Sequence, residues 1–353
     1  MRDFVREFPA CLIATGANAA CATNNGSYPM TGNRNKLLAA VASALALWTS
    51  GATAQPFPAK TVRMVVPFAT GGGTDIIGRL VAQKLSDAWG QQMVVENRAG
   101  GGSVIGTEVV ARSAPDGYTL LLTAPPFTTN AALLPKLSYD ALHDFAPITL
   151  AAYAPLIVVA HPSLPVRSVK DLVAIAKARP GQLSYGSSGN GGPQHLAGEL
   201  FKSMAGVDLV HVPYKGGAPA TVDLVGGQVQ IGFSSMLTAL TFVKSGRLRP
   251  LAVTSLQRSA VMPELPTVAE SGFAGYETTT WYGILTRAGT PPAVVASLNA
   301  DIARVLKLPE IRDRLASEGA EVAASPPAVF AAFLQTEIER VRKLAKFTVI
   351  KLD

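Results

Sequence analysis

Cysteine is almost missing from this 353-residue chain, and the two that occur, Cys11 and Cys21, both precede residue 55. Beyond that point there is no thiol, which excludes a disulfide framework, a thiolate metal site and a cysteine nucleophile. Histidine is nearly as scarce: His143, His161, His195 and His211 show neither H-E-x-x-H nor any close ligand spacing, so no metal site is expected. No G-x-x-x-x-G-K-[ST] occurs, and the Gly71/Gly73 pair lacks the third glycine of a dinucleotide fingerprint because Ile76 stands there. The formal charge of +7 is dispersed, without a Lys/Arg run or interleaved aromatics, so a nucleic-acid surface is not expected.

Long apolar runs are also absent. The longest, Leu37 to Trp48, falls short of the ~20 residues that span a bilayer. Arg34 and Lys36 precede it and the small residues Ala52-Thr53-Ala54 follow, the layout of a secretory signal cleaved after Ala54. Residues 1–54 are therefore read as an N-terminal extension plus a signal over about 30–54, with Met30 as the initiator and 1–29 as an overlong start. No cysteine follows the cut, so a soluble periplasmic product without a lipid anchor is expected, and as a monomer.

What the remaining chain does contain is alternation. Strands are expected at Val62–Phe68, Gln92–Glu96, Tyr118–Thr123, Ile157–Ala160, Leu183–Gly186, Leu209–Tyr214, Gln230–Phe233, Leu251–Thr254 and Thr278–Leu285. Helices come between them: Ile76, Ile77, Leu80, Val81, Leu85 and Trp89 share one face and stop at Gly90, and a second helix opens at Pro193. From Pro291 the strands are expected to cease in favour of helices at Ala293–Leu306, Glu310–Ser317 and Pro327–Lys346. This is an α/β pattern with two mixed or parallel sheets and helices on both faces, divided into a first lobe of 55–155 with 277–353 and a second of 156–276. Extended segments at Phe145–His161, which carries Pro147 and Pro155, and at Glu277–Ala288 would be the two crossovers.

Two glycine-rich loops carry the chemistry. Phe68-Ala69-Thr70-Gly71-Gly72-Gly73-Thr74-Asp75 links a strand to a helix, and Ser187-Ser188-Gly189-Asn190-Gly191-Gly192-Pro193 does so again over a hundred residues later. Each offers unpaired N–H groups and the positive end of a helix dipole, so the guest should be an anion. Ligands of open parallel sheets sit at the carboxyl ends of the strands, where both loops fall. The blander alternatives are a tight turn with packing glycines for the first and a flexible surface loop for the second. A β-branched side chain at Gly72 is expected to abolish binding. A hydrolase is the competing class: Ser188 beside His195 could form a dyad, although G-x-S-x-G fails at Asn190.

Six segments in order resemble a known family: Val66-Pro67-Phe68-Ala69-Thr70-Gly71-Gly72-Gly73-Thr74-Asp75, Val95 to Gly106, Pro115 to Leu121, Val212-Pro213-Tyr214-Lys215-Gly216, Gly227-Gln228-Val229 and Gly246 to Val253. Over 56–353 the chain is similar to the Bug family, the substrate-binding receptors of tripartite tricarboxylate transporters. The resemblance implies a two-lobed periplasmic-binding-protein fold (type II-like) with a cleft, no enzymatic activity, no cofactor, and capture of a small organic carboxylate for membrane permease subunits. A receptor reporting to a two-component sensor is the alternative within the class, and a periplasmic serine hydrolase the alternative outside it. The resemblance further implies that Phe68 to Asp75 supplies N–H groups, with Phe68 as a wall and Thr74 or Asp75 as the helix cap. Ser187 to Pro193 would hold the ligand from the other lobe, Tyr214 would add a phenol, Ser234 and Ser235 hydroxyls, and Thr123 and Ala124 the matching strand end. Departures from the family pattern occur at Thr70 and Ala99, where proline is common, and in a loop expected at Thr123–Asn130. Ser234 replaces an aspartate often found there, which removes a partner for an ammonium group and favours a non-amino acid.

Overall fold

The computed structural model describes residues 57–345. The signal and extension expected at 1–54 lie outside the described residues. Ten α-helices and ten strands are found among those described. In the first half, β1 (Val62–Val66) is followed by α1 (Gly73–Trp89), β2 (Met93–Asn97), α2 (Val104–Ala111), β3 (Thr119–Thr123) and α3 (Pro126–Leu133). The chain crosses on β4 (Phe145–Ala160). The second half holds α4 (Val169–Ala178), β5 (Ser184–Ser187), α5 (Pro193–Ala205), β6 (Val210–Pro213), α6 (Gly217–Val225), β7 (Ile231–Ser235), α7 (Met236–Lys244) and β8 (Arg249–Val253). The return runs through β9 (Thr279–Arg287) to α8 (Pro292–Leu306), α9 (Pro309–Ser317), β10 (Glu321–Val322) and α10 (Pro327–Leu344).

Strand order is β2-β1-β3-β9-β4-β7-β5-β6, with β8 and β10 also on β4. β1 pairs parallel with β2 and β3, and β5 parallel with β6 and β7, while every pairing of β4 or β9 is antiparallel. The two sheets expected from the sequence are thus joined through β4 into one curled mixed sheet. Residues Phe145–Pro155 of this strand pair with β9, and Leu156–Ala160 with β7 and β8.

Both faces of each sheet are covered, which is why its strands read as near-continuous apolar runs. Met64, Val66, Leu120 and Leu122 pack against Ile77, Val81 and Leu85 of α1, whereas Val65 and Leu121 face Phe127, Phe330 and Trp281 on the other side. In the second half Leu156 and Val158 join Tyr185, Phe201 and Tyr276, and Ile157 and Val159 join Leu224 and Leu240. α1 ends as expected: Gly90 takes φ +63, and its N–H donates to the Ser86 carbonyl at 3.0 Å.

Two expectations need correction. Strands do not cease at Pro291, because β10 pairs antiparallel with Ala152 and Tyr153 of β4. The segment Thr123–Asn130 is not a loop, since α3 begins at Pro126 and buries Thr128, Thr129 and Asn130, with Asn130 Nδ2 donating to the Gly102 carbonyl at 2.8 Å. Proline at the first helical position, where its missing N–H costs nothing, starts this helix just as it starts α5, α8, α9 and α10.

One threonine ties the crossover segments together. Thr254, fully buried after β8, accepts from the Leu156 N–H at 2.8 Å, and its hydroxyl lies 2.6 Å from the Thr278 carbonyl just before β9.

Candidate functional site

The carboxyl ends of β1, β3, β5 and β7 converge on one narrow, partly open cavity of about 30 Å³. Free space of that size takes only a few water molecules. Four helices begin at its wall: α1 through Gly72, Gly73 and Thr74, α5 through Pro193 and Gln194, α6 through Gly217, and α7 through Ser235 and Thr238. None of the four is capped by a side chain, which leaves their first-turn N–H groups and dipole ends turned to a common space. The first helix comes from the first half of the chain and the other three from the second.

The rest of the wall is neutral. Phe68, Ala124 and Leu156 supply apolar surface, and Ser188, Thr280 and Tyr282 supply hydroxyls. No Lys, Arg, His, Asp or Glu lines it. An anion placed here meets main-chain dipoles and hydroxyls rather than a counter-ion, and a cation meets nothing of opposite charge.

The local sequence explains how the first loop is held. Gly71 adopts φ +82, a conformation costly for a residue with a Cβ, and its N–H donates to Asp75 Oδ2 at 2.9 Å. The same carboxylate accepts from Arg79 Nε at 2.9 Å and Asn97 Nδ2 at 3.0 Å. Burial by itself would raise the Asp75 pKa, but the bonds from Arg79, Gly71 and Asn97 outweigh it and hold the carboxyl below its ordinary value. Asp75 therefore folds the loop from behind and does not line the cavity.

The two halves touch around the site. Ala69 N–H donates to the Lys215 carbonyl at 3.0 Å, and a Cβ built on Gly216 would lie 3.0 Å from Ala69 N. At the edge, a separate groove of about 220 Å³ is lined by Gly101, Gly102 and Asn130 on one side and by Gly189, Asn190 and Tyr214 on the other.

Of the residues singled out in the sequence, Phe68, Gly72, Gly73, Thr74, Ala124, Ser188 and Ser235 stand on the cavity wall. Ala69 and Gly71 shape the first loop. Thr123 is fully buried behind Ala124, its hydroxyl without a partner among the described residues. Ser187 is buried with its Oγ 2.6 Å from His211 Nε2. Gly189 and Asn190 face the edge groove, the Gly191 N–H donates to His195 Nδ1 at 3.0 Å, and Gly192 is the N-cap of α5. Tyr214 faces the same groove and donates its hydroxyl to Asp223 at 2.7 Å. Ser234, one residue out of phase with Ser235, is buried off the wall.

The dyad weighed for a hydrolase does not form: Ser188 Oγ bonds Gln194 Oε1, and the His195 ring stacks on His211 with centroids 4.0 Å apart. Burial, reinforced by the positive fields of His195 and Lys202, pushes the His211 pKa down to about 3. Sequence reasoning missed Leu156, Gln194, Gly217, Thr238, Thr280 and Tyr282. Gly217 had a signal in the Lys215-Gly216-Gly217 turn, while Thr280 and Tyr282 sit inside an apolar run read as crossover packing.

A curled mixed sheet with helices on both faces is the two-lobed architecture of periplasmic binding proteins, and known structures bear this out. BugD, a periplasmic binding protein, superposes with TM-score 0.81 at 35% identity, covering 84% of this chain and 99% of that one. The R. palustris protein Rpa4515, solved with adipate, gives 0.80 at 39% identity over 82% of this chain and 98% of its own. MatC from Rhodopseudomonas palustris, solved with bound malate, gives 0.78 at 32% identity over 82% and 99%. Residues 77–349 match the family model for the tripartite tricarboxylate transporter family receptor. The chain belongs to that family, whose members are periplasmic substrate-binding receptors and not enzymes. No helix among the described residues is long and apolar enough to cross a membrane.

Proposed function

We propose that this protein is exported through the signal at 30–54 and captures a small organic carboxylate without an ammonium group between two lobes, 55–155 with 277–353 and 156–276. It then delivers the acid to the permease of a tripartite tricarboxylate transporter. The observation that carries this reading is the convergence of four helix N-termini, drawn from both halves of the chain, on a cavity with no charged side chain. Each such terminus favours an anion by about 0.3–1 kcal/mol, rising to about 2 kcal/mol where the site is partly buried. Relatives solved with adipate and with malate support an acid of that kind.

The mechanism is hinge closure. A cavity of about 30 Å³ admits no such acid, so the lobes part to load it. The acid docks on the α1 terminus of one lobe, and closure brings the termini of α5, α6 and α7 onto it while excluding water. β4 and the segment before β9, clasped at Thr254, are where the backbone flexes. The permease takes the acid when the lobes reopen.

Calorimetric titration of the purified protein with adipate, malate, aspartate and glutamate tests the reading. A non-amino acid should bind at least about 10-fold tighter than its amino counterpart, because the ammonium would be buried without a partner. Tighter binding of aspartate than of malate would refute the assignment of ligand class.

A further inference from the structure

Packing alone does not account for the hydroxyl of Tyr282. The residue is 3% exposed on β9 and lines the cavity, where phenylalanine would fill the same space. A buried hydroxyl is retained at a cost unless it has partners. Its oxygen lies 3.2 Å from Ser235 Oγ, the N-cap of α7 in the second lobe. On the other side it rests on the start of α1 in the first lobe, since a Cβ added at Gly73 would lie 2.5 Å from it. Ser235 does not use its hydroxyl to cap α7. Either hydroxyl can donate across this contact, and when Ser235 Oγ–H donates to the phenol oxygen, the phenol hydrogen is left for an acceptor in the cavity. Burial, only partly offset by Ser235 and Thr280, pushes the phenol pKa up to about 12, so it stays a neutral donor wherever carboxylates are ionised.

We propose that Tyr282 is the specificity-determining donor of this cleft: its hydroxyl, oriented by Ser235, donates to a carboxylate oxygen of the bound acid and does so fully only when the lobes are closed. The inference rests on reading the cleft as a carboxylate receptor. It adds a side chain from the crossover strand to a site otherwise built from helix termini, and makes that strand sense occupancy, because Gly73 and Ser235, which flank the hydroxyl together with Thr280 of its own strand, come from opposite lobes.

The test is a double-mutant cycle by calorimetry, using whichever of adipate or malate binds the wild-type protein. Tyr282→Phe should weaken binding about 10- to 100-fold, the scale of a hydrogen bond to a charged group. Ligand-free thermal unfolding should stay within about 3 °C of wild type, a small change for a domain of this size. Ser235→Ala should cost less, and the double variant no more than Tyr282→Phe alone, because Ser235 acts through the phenol. Small-angle scattering at saturating acid should show Tyr282→Phe less fully closed. Affinity of Tyr282→Phe within twofold of wild type, or fully additive losses, overturns the proposal while leaving the receptor reading intact. If Tyr282→Phe does not fold, an unchanged affinity in Ser235→Ala overturns it in its place. A wild-type protein that binds none of a panel of small carboxylates overturns both readings.

Discussion

Replacing Gly73 by alanine places one methyl group at a tight point of the cavity wall. Its Cβ would lie 2.5 Å from Tyr282 Oη and 3.2 Å from both Ser235 Oγ and Leu237 Cδ1. On the proposed division into lobes, Ser235 and Leu237 stand across the cleft from Gly73 while Tyr282 shares its lobe, so the crowding against the first two falls on the proposed closed state. In the proposed open state Ser235 no longer holds the phenol, and a shift of the Tyr282 side chain would relieve the remaining contact. Overpacking a dense interior costs about 1–3 kcal/mol, which corresponds to about 5- to 150-fold weaker ligand binding. The ligand-free protein should keep its thermal stability or gain slightly, because alanine in a helix is favoured over glycine by up to about 1 kcal/mol. Gly72→Ala is the internal control: its Cβ would meet nothing nearer than the Ala69 carbonyl at 3.6 Å, an ordinary contact. Calorimetry with adipate and malate on the two variants, beside ligand-free melting curves, gives the comparison. Wild-type affinity in Gly73→Ala, or an equal loss in Gly72→Ala, would refute the reasoning.

Three further outcomes follow from the same geometry. Asp75→Asn should lower stability by about 1–3 kcal/mol near neutral pH by removing a charged acceptor from Arg79 and the Gly71 N–H. Because the folded pKa of Asp75 is depressed, its contribution is present above 3.8 and disappears as the pH falls through the folded value, so urea unfolding of the variant should show a shallower acid dependence. His211 runs the other way: with a folded pKa of about 3 against 6.5 unfolded, the unfolded chain binds the extra proton between those values. Wild-type stability should therefore rise with pH across that window by up to about 1.4 kcal/mol per unit from this group, and His211→Asn should flatten the rise; an unchanged slope contradicts the buried neutral imidazole. Tyr214→Phe should leave ligand affinity within about threefold, since its hydroxyl serves Asp223 and not the cavity, while costing about 1 kcal/mol of stability.

Much of the architecture is legible in local patterns. Val62–Val66 followed by glycines and then Ile76, Ile77, Leu80, Val81 and Leu85 at helical spacing can form little but a strand, a tight loop and an amphipathic helix, and they do. The loop chemistry is equally local, so Gly72, Gly73 and Thr74 reach the cavity wall as a helix N-terminus must. What the sequence hides depends on phase and on distant partners. Ser187 and Ser188 are neighbours with opposite fates, one against His211 and one on the wall, because a strand sends successive side chains to opposite faces. Ser234 and Ser235 part for the same reason. Tyr282 is concealed in an apolar run whose pattern says only that it is buried, and its role depends on Ser235 and Gly73, far away in the chain. Thr123–Asn130 reads as a loop because Pro125-Pro126 and the Thr/Asn run are poor helix interiors. Proline at the start of the helix and burial of Asn130 against Gly102 override that propensity.

A crystal structure of the protein grown with the carboxylate that binds it in calorimetry tests the central claim most directly. The acid should lie between Gly73 and Thr74 on one side and Gln194, Gly217 and Ser235 on the other, its carboxylate oxygens within about 3 Å of main-chain N–H groups. Density for the acid in the open groove beside Tyr153, Leu256 and Glu321, with the helix termini untouched, would contradict it.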